Sequence, residues 1–110
     1  MTSGTATIAL TEVGFDEAVV AHPQLVVDFW APWCGPCRAL GPVLDEVAHE
    51  QAGRVVVGKV NVDEQPGLAA RFGVRSIPTL VFFKDGRIVD TVVGAVPKAE
   101  IVKRIDALRD

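Results

Sequence analysis

The chain has 110 residues, 49% hydrophobic and 23% charged, and its 11 basic and 14 acidic residues give a formal net charge of -3. That length suits one domain, 1–110, with residues 1–4 as a flexible tail, and it can bury a core without covalent staples. Scattered basic residues in acidic excess exclude the electrostatic footprint of a phosphate backbone or an anionic lipid surface, so neither nucleic acid nor membrane is an expected partner.

The first residues, Met1 to Thr7, lack the basic start and apolar stretch of a secretory signal, and no window approaches the length of a membrane span. A cytoplasmic, reducing compartment is the expectation. Thr7 to Leu10 reads as a short strand, and Phe15 to Val20 as a helix whose Phe15 and Val19 share a face at i,i+4. Leu25 to Trp30 is an apolar run broken only by Asp28, the pattern of a strand covered on both faces.

After Cys34, apolar residues recur at Leu40, Val43, Leu44, Val47 and Ala48, the stripe of an amphipathic helix running to about Gln51. Pro42 lies inside it and removes an amide, which predicts a kink. Val55 to Val62 is a second buried strand, and Pro66 to Phe72 a short helix bounded by proline at its start and Gly73 past its end. Thr79 to Phe83 and Ile88 to Val93 flank Asp85-Gly86, a strong hairpin signal. Ile101, Val102, Ile105 and Leu108 stripe a last helix that begins near Pro97. This order predicts a mainly parallel sheet ending in an antiparallel hairpin, with helices on both faces and chemistry at strand-to-helix loops.

One such loop holds both cysteines of the chain, in Trp33-Cys34-Gly35-Pro36-Cys37. A close pair in an otherwise cysteine-free chain points to redox chemistry, catalysis or metal. If Cys34 opens the helix and Cys37 sits one turn in, the i,i+3 relation sets their side chains on one face, needing only modest tightening to form a disulfide. Unpaired helix amides and the positive end of the helix dipole would stabilise a Cys34 thiolate, making it the attacking group. Cys37, deeper in the turn, would resolve the mixed disulfide. Gly35 lets a partner's backbone approach, and Pro36 has no amide to lose at a helix start.

A metal site fails on arithmetic, so no metal is expected. Zinc wants four ligands, and the only histidines are His22 and His49. His49 lies twelve positions beyond Cys37 on the same helix, roughly 18 Å away. Asp28 interrupts a buried strand, and burial of an unpaired carboxylate would raise its pKa toward neutrality. It could then exchange a proton with Cys37 through a water, or it could be satisfied by local amides or by Lys59 on the other central strand. Lys59 is read either as tuning Asp28 or as a snorkelling side chain.

The segment Trp30-Ala31-Pro32-Trp33-Cys34-Gly35-Pro36-Cys37 resembles the active-site segment of thioredoxins. The resemblance runs along almost the whole chain: the aspartate in "VDFW", proline five residues after the second cysteine, "KVNVDEQP", "RFGVRSIPTLVFFKDG" and a late "VVGA". It implies an α/β thioredoxin fold, a central five-stranded mixed sheet flanked by four helices. It also implies a cis Ile77-Pro78 bond lying against the cysteines, with the Ile77 backbone pairing with substrate. Trp33, Ile77, Gly94 and Ala95 would form a flat apolar docking surface. From the residues alone, Gly94 could be a bulge glycine, and Trp33 and Ile77 single exposed hydrophobes.

The function so implied is that of a protein-disulfide reductase and monomeric dithiol electron carrier. It needs no cofactor beyond the Cys34–Cys37 disulfide. Its partners would be disulfide-containing protein substrates and a thioredoxin reductase, an NADPH-dependent flavoprotein. An oxidase or isomerase, or a non-catalytic subunit gripping a larger enzyme through the same surface, are the alternatives.

Overall fold

A computed structural model describes residues 6–108, so the tail expected at residues 1–4 lies outside the described residues. The chain runs β1 (Ile8–Ala9), α1 (Phe15–Ala21), β2 (Gln24–Trp30), α2 (Gly35–Glu50), β3 (Val56–Asn61), α3 (Pro66–Arg71), β4 (Thr79–Lys84), β5 (Arg87–Val93) and α4 (Lys98–Asp106). The sheet order is β1-β3-β2-β4-β5. β1, β3 and β2 are mutually parallel, while β4 and β5 join antiparallel, giving the mixed five-stranded sheet with four helices.

Side chains alternate across this sheet. Leu25, Val27 and Phe29 of β2 join Val81 and Phe83 of β4 in a core closed by α1 and α3. Val26 joins Leu80 and Phe82 in the opposite core, closed by Leu40, Leu44 and Val47 of α2 and by Ile101 and Ile105 of α4. By parity with Val26, Asp28 belongs to the α2 side of the sheet. That assignment follows from pleat alone and places the carboxylate beneath the helix that the cysteines open.

Four of the five phenylalanines gather on the other side: Phe15, Phe29, Phe72 and Phe83, with ring centroids 5.1 to 6.0 Å apart. α2 runs continuously across Pro42, which faces solvent, while Leu40 and Leu44 face the core. β1 is shorter than expected because only Ile8 and Ala9 pair with β3, at Gly58 and Lys59; Leu10 still donates its N–H to the Lys59 carbonyl at 2.9 Å. The hairpin turns on Asp85 and Gly86, both at positive φ as a two-residue type I′ turn requires. A bulge at Phe82/Phe83 then sets Phe83 opposite Ile88 and Phe82 opposite Asp90.

Candidate active site

Both cysteines sit where β2 hands over to α2. Cys34 is the extended N-cap residue, and α2 begins at Gly35 with Pro36 in its first turn. The helix starts there because the Arg38 N–H reaches the Cys34 carbonyl at 3.1 Å, while Pro36 has no amide to leave unpaired. Cys34 and Cys37 are joined as a disulfide, their Cα atoms 5.2 Å apart. The Cys37 N–H donates to Cys34 Sγ at 3.2 Å, so the sulfur takes the capping place of a serine hydroxyl. No acidic residue occupies the first turn of α2 to compete for its positive end.

The expected contrast in depth between the two sulfurs is small. Cys34 is 6% exposed and Cys37 is 3%. What separates them is the bonding around each sulfur: Cys34 receives the amide and lies 3.8 Å from the Ile77 carbonyl. The pair packs on Ala31, Trp30, Val62 and Ile77.

The Ile77-Pro78 bond is cis and Pro78 is buried. The Gly94 N–H donates to the Pro78 carbonyl at 2.8 Å, and Gly94 itself holds φ at 97°, a backbone that favours glycine. Trp33 is 66% exposed and lines a cleft of about 180 Å³ together with Ile77, Val62, Ala69 and Val74. Gly94 and the exposed Ala95 do not line that cleft, so the structure brings together Trp33 with Ile77, and Pro78 with Gly94.

Asp28 is fully buried, and neither carboxylate oxygen has a hydrogen-bond partner among the described residues. Burial pushes its pKa up to about 7, against the opposing pull of the Lys59 charge. Satisfaction by local amides, one of the two readings open at the sequence level, does not occur. Lys59 is opposite Asp28 in the β2/β3 register and half-buried, with its ammonium 4.9 Å from the centroid of the Trp30 ring. It acts on Asp28 through its field and on Trp30 through a cation–π contact.

Three hydrogen bonds around the site are not foreshadowed by any motif in the sequence. The Trp33 indole N–H donates to Asp63 Oδ2 at 2.8 Å, which fixes the exposed ring, and the Asp63 N–H in turn donates to Asn61 Oδ1 at 3.0 Å. Arg38 Nη1 donates to the Pro32 carbonyl at 3.1 Å, bracing the loop ahead of Cys34. Asp63 and Trp33 are thirty residues apart, and no periodicity links them. Among the described residues, no group of three or more His, Cys, Asp or Glu side chains could hold a metal ion.

Comparison with known proteins agrees with this geometry. The family model described as Thioredoxin matches residues 6–107. The chain is 52% identical over 99 residues to Thioredoxin 1 of Synechococcus elongatus, covering 89% of this chain and 92% of that protein. It is 48% identical over 102 residues to a thioredoxin of Synechocystis sp., covering 92% and 95%. A solved mutant thioredoxin from Halobacterium salinarum NRC-1 superposes with a TM-score of 0.87 at 32% identity, over 100% of this chain and 97% of that one. The likeness spans the sheet, the helices and the cysteine loop alike, and the chain belongs to the thioredoxin family of thiol-disulfide oxidoreductases.

Proposed function

We propose that Cys34 is the attacking sulfur and Cys37 the resolving one in a protein-disulfide reductase that serves many clients as a recycled electron carrier. The observation that carries this reading is the Cys37 amide directed at Cys34 Sγ at the capped start of α2. A donor held there stabilises a thiolate on Cys34 and has no equivalent at Cys37 among the described residues.

In the first step the Cys34 thiolate attacks one sulfur of a client disulfide. A mixed disulfide forms and the client's other sulfur leaves as a thiolate. Cys37 then loses its proton and attacks Cys34 Sγ, which breaks the mixed disulfide, releases the second client thiolate and leaves Cys34 and Cys37 oxidised. Asp28, titrating near neutrality on the same side of the sheet as α2, takes the Cys37 proton through a water, and Lys59 tunes its readiness to do so. Gly35 and Pro36 keep the turn slim and free of a competing amide.

Clients dock on the surface around Trp33, Ile77, Pro78, Gly94 and Ala95, where the Ile77 backbone pairs with the client chain. The two electrons are carried by the cysteine pair, so the cycle needs no bound cofactor. A thioredoxin reductase, the NADPH-dependent flavoprotein, restores the dithiol. The chain acts as a monomer in the cytoplasm. No helix among the described residues is long and apolar enough to cross a membrane.

The test is a pair of variants assayed for insulin reduction with dithiothreitol as electron source. Cys37→Ser is expected to accumulate mixed disulfides with its clients, visible on non-reducing gels, while Cys34→Ser loses exchange. Full activity in Cys34→Ser would overturn the catalytic reading and leave docking in its place.

A further inference from the structure

Beside the cleft under Trp33 lies a second groove, about 270 Å³, on the far side of the Val74–Ser76 segment. Val74, Arg75 and Ser76 line both, so the two are neighbours across one low ridge of backbone. Thr79, Val81 and Thr91 belong to the second groove, and its outer lip is formed by Ile88 and Val93 of β5. These two apolar side chains stand 49% and 62% exposed. β5 is also the last strand of the sheet, so its outer main-chain edge has no strand neighbour among the described residues.

Two features select an occupant. Arg75 stands exposed on the shared ridge, and no carboxylate among the described residues pairs with it. From Val93 to Ile88 the groove follows five residue steps of strand, roughly 17 Å, the length of about five extended residues. An apolar trough beside a cation, continuous with the cleft at the cysteines, fits an extended peptide carrying an acidic residue next to apolar ones.

Building on the reductase reading above, we propose that this groove is an extended client subsite. The segment flanking a client's disulfide crosses the ridge with an acidic side chain at Arg75 and lays apolar side chains against Ile88 and Val93. Client choice is then set partly by sequence several residues away from the cystine. Small disulfides do not reach it, and unstructured or edge-exposed segments reach it best.

The experiment uses three synthetic peptide disulfides with the whole protein. A short one ends one residue either side of its cystine, and two long ones add Asp followed by Leu residues over five positions, on the N- or the C-terminal side. One of the extensions is expected to lower KM about tenfold at unchanged kcat, within what burial of one or two apolar side chains supplies. The gain should vanish with Ile88→Asp or Val93→Asp. It should also vanish when the peptide's Asp is replaced by Lys, and return when that peptide meets the Arg75→Glu variant. Equal KM for short and long peptides, or a gain that survives Ile88→Asp and Val93→Asp, overturns the subsite while leaving the reductase reading intact. A wild-type protein that sediments as a dimer and shows no length dependence assigns the groove to a second copy and overturns it equally. A short peptide left unreduced overturns the reductase reading, and this inference with it.

Discussion

Asp28 shows how burying a single carboxyl costs stability at the place where a proton-transfer role is proposed for it. Its carboxyl is buried, without a hydrogen-bond partner among the described residues, and its pKa lies near 7 instead of 3.8. Below pH 3.8 the folded and unfolded chains both hold the proton, and the shift has no effect on stability. As pH rises toward 7 the unfolded chain ionises first, the folded chain binds more protons, and stability falls by about 4 kcal/mol at the limit. Asp28→Asn should therefore raise the unfolding free energy by about 2–4 kcal/mol at pH 7.5 and leave it nearly unchanged at pH 3.5. Urea unfolding at the two pH values checks this, and an equal effect at both would contradict burial as the cause. The same variant should remove the pH dependence of mixed-disulfide resolution near neutrality, followed by stopped-flow release of client thiol. A carboxylate inside an apolar strand is legible in one line of sequence. Which side of the sheet it occupies, and the absence among the described residues of an amide to receive it, are not.

At the scale of elements, short pieces are held by residues distant in sequence. α3 has six residues and no side-chain cap of its own. Glu12, in the turn after β1, accepts the Gly67 N–H at 2.7 Å, and its own N–H donates to Gln65 Oε1 at 2.8 Å. The Glu12 carboxylate thus caps α3 from 55 residues away, and the Gln65 side chain holds Glu12 in place. Glu12→Ala should cost about 1 kcal/mol of stability, the usual value of a lost N-cap, measurable as a lowered urea midpoint with unchanged slope. By contrast, Lys98 with Glu46 and Glu50, and Arg71 with Asp16, are exposed ion pairs that join helices but contribute little. Arg104, bound to Asp90 of β5 and Glu100 of α4, is the better-covered bridge and ties the last helix to the edge strand.

The whole molecule has two cores on opposite faces of one sheet. Phe15 is fully buried among aromatic rings on one side, and Ile105 is 1% exposed on the other. Because β2 and β4 contribute side chains to both cores, neither core can melt without releasing the strands of the other. Phe15→Ala should cost about 3–5 kcal/mol and Ile105→Ala about 2–5, each within a single unfolding transition. Fluorescence and far-ultraviolet circular dichroism should give coincident curves, and separated curves would show that the faces unfold independently. The cysteine loop sits at the carboxyl edge of the parallel strands, packed on Val62 and Ile77 at the end of the aromatic core.

The sequence by itself determined the strand and helix order, the antiparallel hairpin at Asp85-Gly86, the two-sided burial of β2 and the cysteine pair at a helix start. These are local properties, written in periodicity, turn chemistry and i,i+3 spacing. Tertiary structure alone decided that the two sulfurs lie at nearly equal depth, and that Asp63 holds Trp33. It also decided that Glu12 caps α3 and that a second groove adjoins the first. The last three join residues whose separation carries no period, so only the packed chain brings them within reach.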